Sequence, residues 1–196
     1  MRFRSLPIIA VVGVLGLAAC GNDDTANPAT PAPADTTATG AAFNDADVTF
    51  SQGMIPHHQQ AVEMADIALD PKVGASDKVR DLATRIKAGQ GPEIDMMTTW
   101  LTTWGQPMQM NAGEGHDMSS MDGRMSAEEM GTLGMMAGAE FDTMWMEMMI
   151  RHHEGAIAMA QTAKAAGSNP DVLAAADLVI TAQEGEIAEM MSLLGS

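Results

Sequence analysis

Met149-Ile150-Arg151-His152-His153-Glu154-Gly155-Ala156-Ile157-Ala158-Met159-Ala160 repeats a frame first met 95 residues earlier. That first copy is Met54-Ile55-Pro56-His57-His58-Gln59-Gln60-Ala61-Val62-Glu63-Met64-Ala65. Met, Ile, both His, the first Ala, the second Met and the last Ala are identical, and Val62 becomes Ile157. A weaker match follows with a shift of 93, where Gln90, Glu93, Ile94 and Met97 align with Gln183, Glu186, Ile187 and Met190. A doubled segment of this size is one supersecondary unit used twice, and it sets the architecture before any local detail does.

The unit is helical. Ile86, Ile94, Met97 and Leu101 recur at helical steps, as do Leu173, Leu178, Val179, Ile187, Met190 and Leu194. Breaks fall at Asp70-Pro71, Gly105-Gln106-Pro107 and Gly167-Ser168-Asn169-Pro170. The pattern predicts helices over 44–69, 76–103, 138–166 and 170–194. Ser76 and Asn169 suit N-caps, and Pro170 suits a first turn. Pro56 is the misfit, because proline inside a helix removes a hydrogen bond, so the first helix is expected to bend there or to begin close to His57. The expected fold is all-α, an antiparallel four-helix bundle made of two repeated helical hairpins with pseudo-twofold symmetry. The crossover, 105–137, is rich in Gly and Met. Ser126-Ala127-Glu128-Glu129 opens a short helix there, expected over 126–136.

Outward from this core, the N-terminus reads as an address. Met1 to Arg4 is basic, and Leu6 to Ala19 is an apolar run of about fourteen residues, the size of a signal h-region and short for a membrane span. Leu17-Ala18-Ala19-Cys20 resembles a bacterial lipobox. The resemblance implies a signal peptide at 1–19, cleavage before Cys20 and lipidation of that residue. The expected place is the bacterial cell envelope, lipid-anchored on the extracytoplasmic side. Residues 20–42, rich in Ala, Thr, Pro and Asp, read as the lipidated Cys and a disordered tether. The globular part is expected over 43–196.

Composition excludes several classes. The 196 residues carry 10 basic and 26 acidic side chains, a formal charge of −16 that becomes −18 once Arg2 and Arg4 leave with the signal. Such a chain attracts cations and is no partner for nucleic acid. One Cys allows no intrachain disulfide, no zinc finger and no iron–sulfur cluster. The anomaly is 20 Met, about one residue in ten.

Neighbours three or four apart share a helix face, whereas adjacent residues point about 100° apart. Met54 lies four before His58. Met148 and Met149 lie four before His152 and His153, and Met144 four before Met148. Met64 and Met159 lie two turns after His57 and His152. Each His therefore has a thioether on its own face. Imidazole with thioether is a soft donor set that selects Cu(I), and Ag(I) is chemically alike. Hard ions would want carboxylates, and zinc would want Cys or more His and Asp. In the crossover, His116, Met118 and Met121, with Met108, Met110 and Met125 around them, read as a second, mobile ligand set. Trp100, Trp104 and Trp145 read as core or bundle-end residues. The carboxylates Asp45, Asp47, Glu63, Asp66, Glu93, Asp142, Glu147 and Glu154 read as a solvated face.

Met-Ile-x-His-His followed by Gly-Ala-Ile-Ala-Met-Ala resembles the bacterial domain of unknown function 305 family, which includes the CopM-type periplasmic copper-binding proteins. The similarity covers roughly 43 to 196 and is most specific from Met125 to Gln161. It implies a ferritin-like bundle and binding of Cu(I) and Ag(I) through Met54, His57, His58 and Met64, and through Met149, His152, His153 and Met159. The first repeat departs with Gln59-Gln60 where the second has Glu154-Gly155, which favours the second site.

The expected function is that of an envelope copper-binding lipoprotein that sequesters, stores or transfers Cu(I) and serves copper homeostasis or resistance. It has no catalytic step. Its partners are the metal ion, the membrane through Cys20, and a copper-exchange protein. Met is also a flexible core filler, so a structural or interaction bundle without metal is an alternative. A b-type haem bundle with His and Met axial ligands is another. A di-iron enzyme needs Glu-x-x-His, but Met54, Ile55, Met149 and Ile150 stand three before the four His. No nucleophile motif or phosphate loop is present.

Overall fold

The computed structural model describes residues 41–109 and 123–195; Cys20, the tether and His116, Met118 and Met121 lie outside the described residues. The described chain forms helices α1 (Asp45–Leu69), α2 (Asp77–Thr103), α3 (Ala127–Leu133), α4 (Gly138–Ala166) and α5 (Pro170–Leu194), with a 3-10 turn at Pro71–Val73 after α1. Among the described residues no helix is long and apolar enough to cross a membrane.

Three of the four long helices start where the sequence offers a cap, whereas α4 follows Ala137 with no side-chain cap. Asn44 accepts from the amides of Ala46 and Asp47, and Asp47 accepts in return from the Asn44 amide at 2.8 Å, closing a capping box. Ser76 caps α2, and Asn169 caps α5 ahead of Pro170. Ser126 and Glu129 close the same box on α3, which ends at Leu133, three residues short of the expected limit. Pro56 neither ends nor starts a helix, since α1 runs through it from Asp45. Pro92 lies inside α2 in the same way, and the sequence reading did not flag it. Proline in a helix forfeits one hydrogen bond, and burial along the rest of the helix outweighs that loss.

α1 packs against α2 and α4 against α5, so each repeat is a hairpin, and the hairpins meet along α1 and α4. This is the antiparallel four-helix bundle of two hairpins. Two carboxylates brace it symmetrically. Asp47 on α1 accepts from the Ser168 and Asn169 amides at the head of α5, the latter at 3.1 Å. Asp142 on α4, 95 residues on, accepts from the Ser76 amide at 3.1 Å at the head of α2. Each hairpin thus holds the loop of the other. Asp47 is fully buried, which corrects its reading as part of a solvated face. A buried carboxylate is tolerable here because several N–H groups converge on it.

The core divides into two apolar clusters. One contains Ala61, Met64, Leu82, Ile86, Phe141, Trp145, Met149 and Met190. The other contains Phe50, Met54, Met97, Leu101, Ala156, Ala160, Val172 and Val179. On each of the four long helices the chain passes from one cluster to the other through buried polar residues: His57 and His58 on α1, Gln90 on α2, His152 and His153 on α4, Gln183 on α5. A polar layer therefore crosses the middle of the bundle. Of the three tryptophans, Trp145 is core and donates Nε1–H to the Met64 carbonyl at 2.9 Å, whereas Trp100 and Trp104 stack in line with Phe43.

Candidate metal centre

All four histidines of the repeated frame are fully buried. Helical geometry turns His57 and His58 apart, with ring centroids 6.4 Å from each other, and His152 and His153 apart by 6.3 Å; both pairs are tilted at 57°. Across the pseudo-twofold, His57 and His152 face each other at 3.7 Å between centroids. The packing of α1 on α4 makes this meeting, and no spacing within either helix announces it.

The outer members of the pairs are held from behind. His58 donates Nε2–H to Glu93 Oε2 at 2.7 Å, and His153 donates Nε2–H to Glu186 Oε2 at 2.7 Å. A carboxylate accepts only, so the proton of each bond belongs to the ring. Nδ1 of His58, Nδ1 of His153 and both ring nitrogens of His152 are buried with no hydrogen-bond partner among the described residues. Burial, and then the neighbouring His57, His153, His58 and Arg124, hold His152 well below the ordinary histidine range. Its ring is therefore neutral and presents a nitrogen lone pair to the interior.

The glutamates correct one expectation and fill one gap. Glu93 is partly exposed at the rim of the layer, where it bonds His58, and so is more than part of a solvated face. Glu186 and the buried amides Gln90 and Gln183 were not singled out as site residues. Their signal was the weaker repeat, which aligns Gln90 with Gln183 and Glu93 with Glu186.

The thioethers flank the layer. Met54 and Met149 are fully buried one turn before His58 and His153, in opposite apolar clusters. Met64 is fully buried, Met148 is 6% exposed, and Met159 is partly buried against the second cluster. The five expected helix Met residues thus stand to both sides of the histidine level, four packed as core and Met159 partly buried. Among the described residues, no three His, Cys, Asp or Glu side chains form a ready-made ion-holding group.

The end of the crossover is seated against this site. Gln60 donates to the Met125 carbonyl and accepts from its amide, both at 2.8 Å. Met125 is 5% exposed and belongs to the first apolar cluster, which corrects its grouping with the mobile crossover set, whereas Met108 is exposed. Arg151 donates to Met125 Sδ at 2.6 Å and pairs with Glu129. Gly123 has φ of +89°, and a Cβ there would meet the Arg151 carbonyl oxygen at 2.3 Å and Gly155 Cα at 3.2 Å. The departure between the repeats now has a physical reason. Gln60 pins the returning chain, and Gly155 in the matching place lets it approach α4.

A surface groove of about 650 Å³ on α4 is lined by Met136, Ala139, Glu140, Thr143, Met144 and Glu147, and none of the four histidines borders it.

The family model for the domain of unknown function DUF305 matches residues 47–194. The crystal structure of a putative secreted DUF305 protein from Streptomyces coelicolor is 31% identical, with a TM-score of 0.70, and the alignment covers 76% of this chain and 92% of that one. A DUF305 fragment from Deinococcus radiodurans is 31% identical, with a TM-score of 0.68 over 78% of this chain and 97% of its own. CopM in the Cu(I)-bound form is 29% identical, with a TM-score of 0.62 over 75% of this chain and 94% of its own, and that protein has also been solved with Cu(II) and with Ag. No curated protein matches the chain. The doubled Met-Ile-x-His-His frame, the paired hairpins and these relatives have one consequence: the chain belongs to the DUF305 family.

Proposed function

We propose that this chain binds Cu(I), and Ag(I) in the same way, at one centre in the polar layer, and that it sequesters, stores or passes on the ion in the cell envelope. The observation that carries this reading is the meeting of His57 and His152 at 3.7 Å, which draws both histidine pairs to one level of the bundle. Imidazole nitrogens flanked by thioethers form a soft donor set, and such a set favours a monovalent soft cation over hard divalent ones. Met54, Met149, Met64, Met148 and Met159, on the same two helices as the histidines, are the thioethers that would complete the ligation. The likeness to CopM, solved with copper and silver, supports the same assignment. No catalytic step belongs to this reading.

Cys20 follows a signal-like segment, and we infer that its lipidation holds the chain at the outer side of a membrane. His116, Met118 and Met121 would then form an exchange set for a protein partner that gives or takes the ion.

An anaerobic Cu(I) titration of the purified chain against a chromogenic competitor tests the central claim. Tight binding is expected, and it is expected to vanish when His57, His58, His152 and His153 are all replaced by Leu while helicity is retained. Unchanged affinity in that variant would leave the Met content as core packing.

A further inference from the structure

We propose that Glu93 and Glu186 are positioning residues, which fix His58 and His153 as Nε2–H tautomers so that Nδ1 of each ring is the nitrogen offered to the metal. The proposal rests on the metal-binding reading above and specifies which atoms serve it.

Each glutamate lies on the helix that pairs with its histidine, Glu93 on α2 behind α1 and Glu186 on α5 behind α4. Both bonds are 2.7 Å, and both connect Nε2 to Oε2. The side chains of the histidines are fully buried, while those of Glu93 and Glu186 are 25% and 19% exposed. The carboxylates therefore stand at the rim and reach inward with Oε2.

The consequence for the rings follows from donor and acceptor counting. A neutral imidazole carries one N–H and one lone pair. The carboxylate takes the N–H at Nε2, so the lone pair is at Nδ1. Nδ1 of both rings is buried and has no hydrogen-bond partner among the described residues. A buried acceptor left without a partner costs stability, and nearly all such atoms in folded proteins find one. Here the same orphan occurs twice, at positions related by the repeat, on rings whose other nitrogen is tied in the same way. Two orphaned lone pairs in a layer that also contains His152 are explained if a cation is their partner.

Stability alone does not account for the pairs. A hydrogen-bonded polar pair reaching into a core rarely outperforms a well-packed apolar pair of the same shape. Apolar clusters stand on both sides of the layer. A carboxylate hydrogen-bonded behind a ligating imidazole, by contrast, fixes ring orientation and raises donor strength.

The test uses Ag(I) alone as probe, since it is redox-inert and couples magnetically to the nitrogen it binds. In metal-free protein with isotope-labelled histidine nitrogens, long-range proton–nitrogen spectra are expected to show His58 and His153 as Nε2–H tautomers. On addition of Ag(I), silver coupling is expected at Nδ1 of both. Glu93→Leu and Glu186→Leu are expected to lose the single tautomer and to weaken Ag(I) binding by about 10- to 100-fold. Glu93→Gln and Glu186→Gln, which keep an acceptor oxygen, are expected to retain the tautomer and most of the affinity, which separates positioning from folding. Silver coupling at Nε2, an Nδ1–H tautomer in the metal-free protein, or Leu variants with unchanged affinity would each overturn the proposal and leave the histidine metal site standing. Silver coupling to no histidine nitrogen would overturn both.

Discussion

The His57 and His152 rings stand 3.7 Å apart between centroids, one contributed by each half of the repeat. On the reading proposed above, the two copies of the frame serve one centre. His57→Leu and His152→Leu are each expected to weaken Cu(I) binding, with the double variant losing less than the sum, a coupling of about 1–3 kcal/mol. Independent sites would instead give half the stoichiometry in each single variant and additive losses. Competition titrations of the three variants distinguish the two results.

The mutual bracing of the hairpins gives a stability prediction. Asp47 is fully buried and accepts from three backbone amides, of Asn44, Ser168 and Asn169. Asp47→Ala strands those donors, at a cost of about 2–3 kcal/mol. Asp142 is only partly buried, and the Ser76 amide it serves can turn to water, so Asp142→Ala should cost about 1 kcal/mol. Urea unfolding checks both, and equal losses would deny the difference in burial any role.

The seat of the crossover is equally open to test. Gly123→Ala places a Cβ 2.3 Å from the Arg151 carbonyl oxygen at a positive φ, which should cost about 1–3 kcal/mol. Gln60→Leu removes both bonds to the Met125 backbone and should cost a similar amount, about 1–3 kcal/mol. Since both act on one segment, their effects should fall short of additive in urea unfolding.

Much of the fold was legible because each signal was local. Caps at Ser76, Asn169 and Ser126, the helical steps of Ile86 to Leu101 and the doubled His-His frame all lie within single elements. What escaped notice depends on contacts between elements. Glu93 and Asp47 look like any surface acid in sequence, and only the packing of α1 on α2 and of α1 beside the α4–α5 loop shows what they hold. The repeat did contain the clue, since Glu186 and Asp142 are their counterparts at the same shifts. Met125 was misread for the converse reason. Its sequence neighbours are Gly123, Arg124 and Ser126, but Gln60, 65 residues away, draws it into the core. Pro56 misled because a local rule about one hydrogen bond met a helix whose burial is set by the whole bundle.

Acid should loosen the short helix α3 first. The backbone amide of Ser126, then Arg151 and the Ser126 hydroxyl, hold the Glu129 carboxyl down at about 2, against 4.5 for a free glutamate. The folded form thus binds this proton less readily than the unfolded one. The stabilisation is fully present above pH 4.5 and is lost as pH falls through the window from 4.5 to about 2. The side chain is 37% exposed, so solvent screening limits the contribution to about 1 kcal/mol or less. Glu129→Gln is expected to remove that part of the acid dependence while lowering stability slightly at neutral pH. Urea midpoints of the two proteins, compared at several pH values, should converge as pH drops, because protonation does to the native chain what the substitution has already done. Parallel curves across the window would mean that the Ser126 cap and the Arg151 pair contribute nothing to folding.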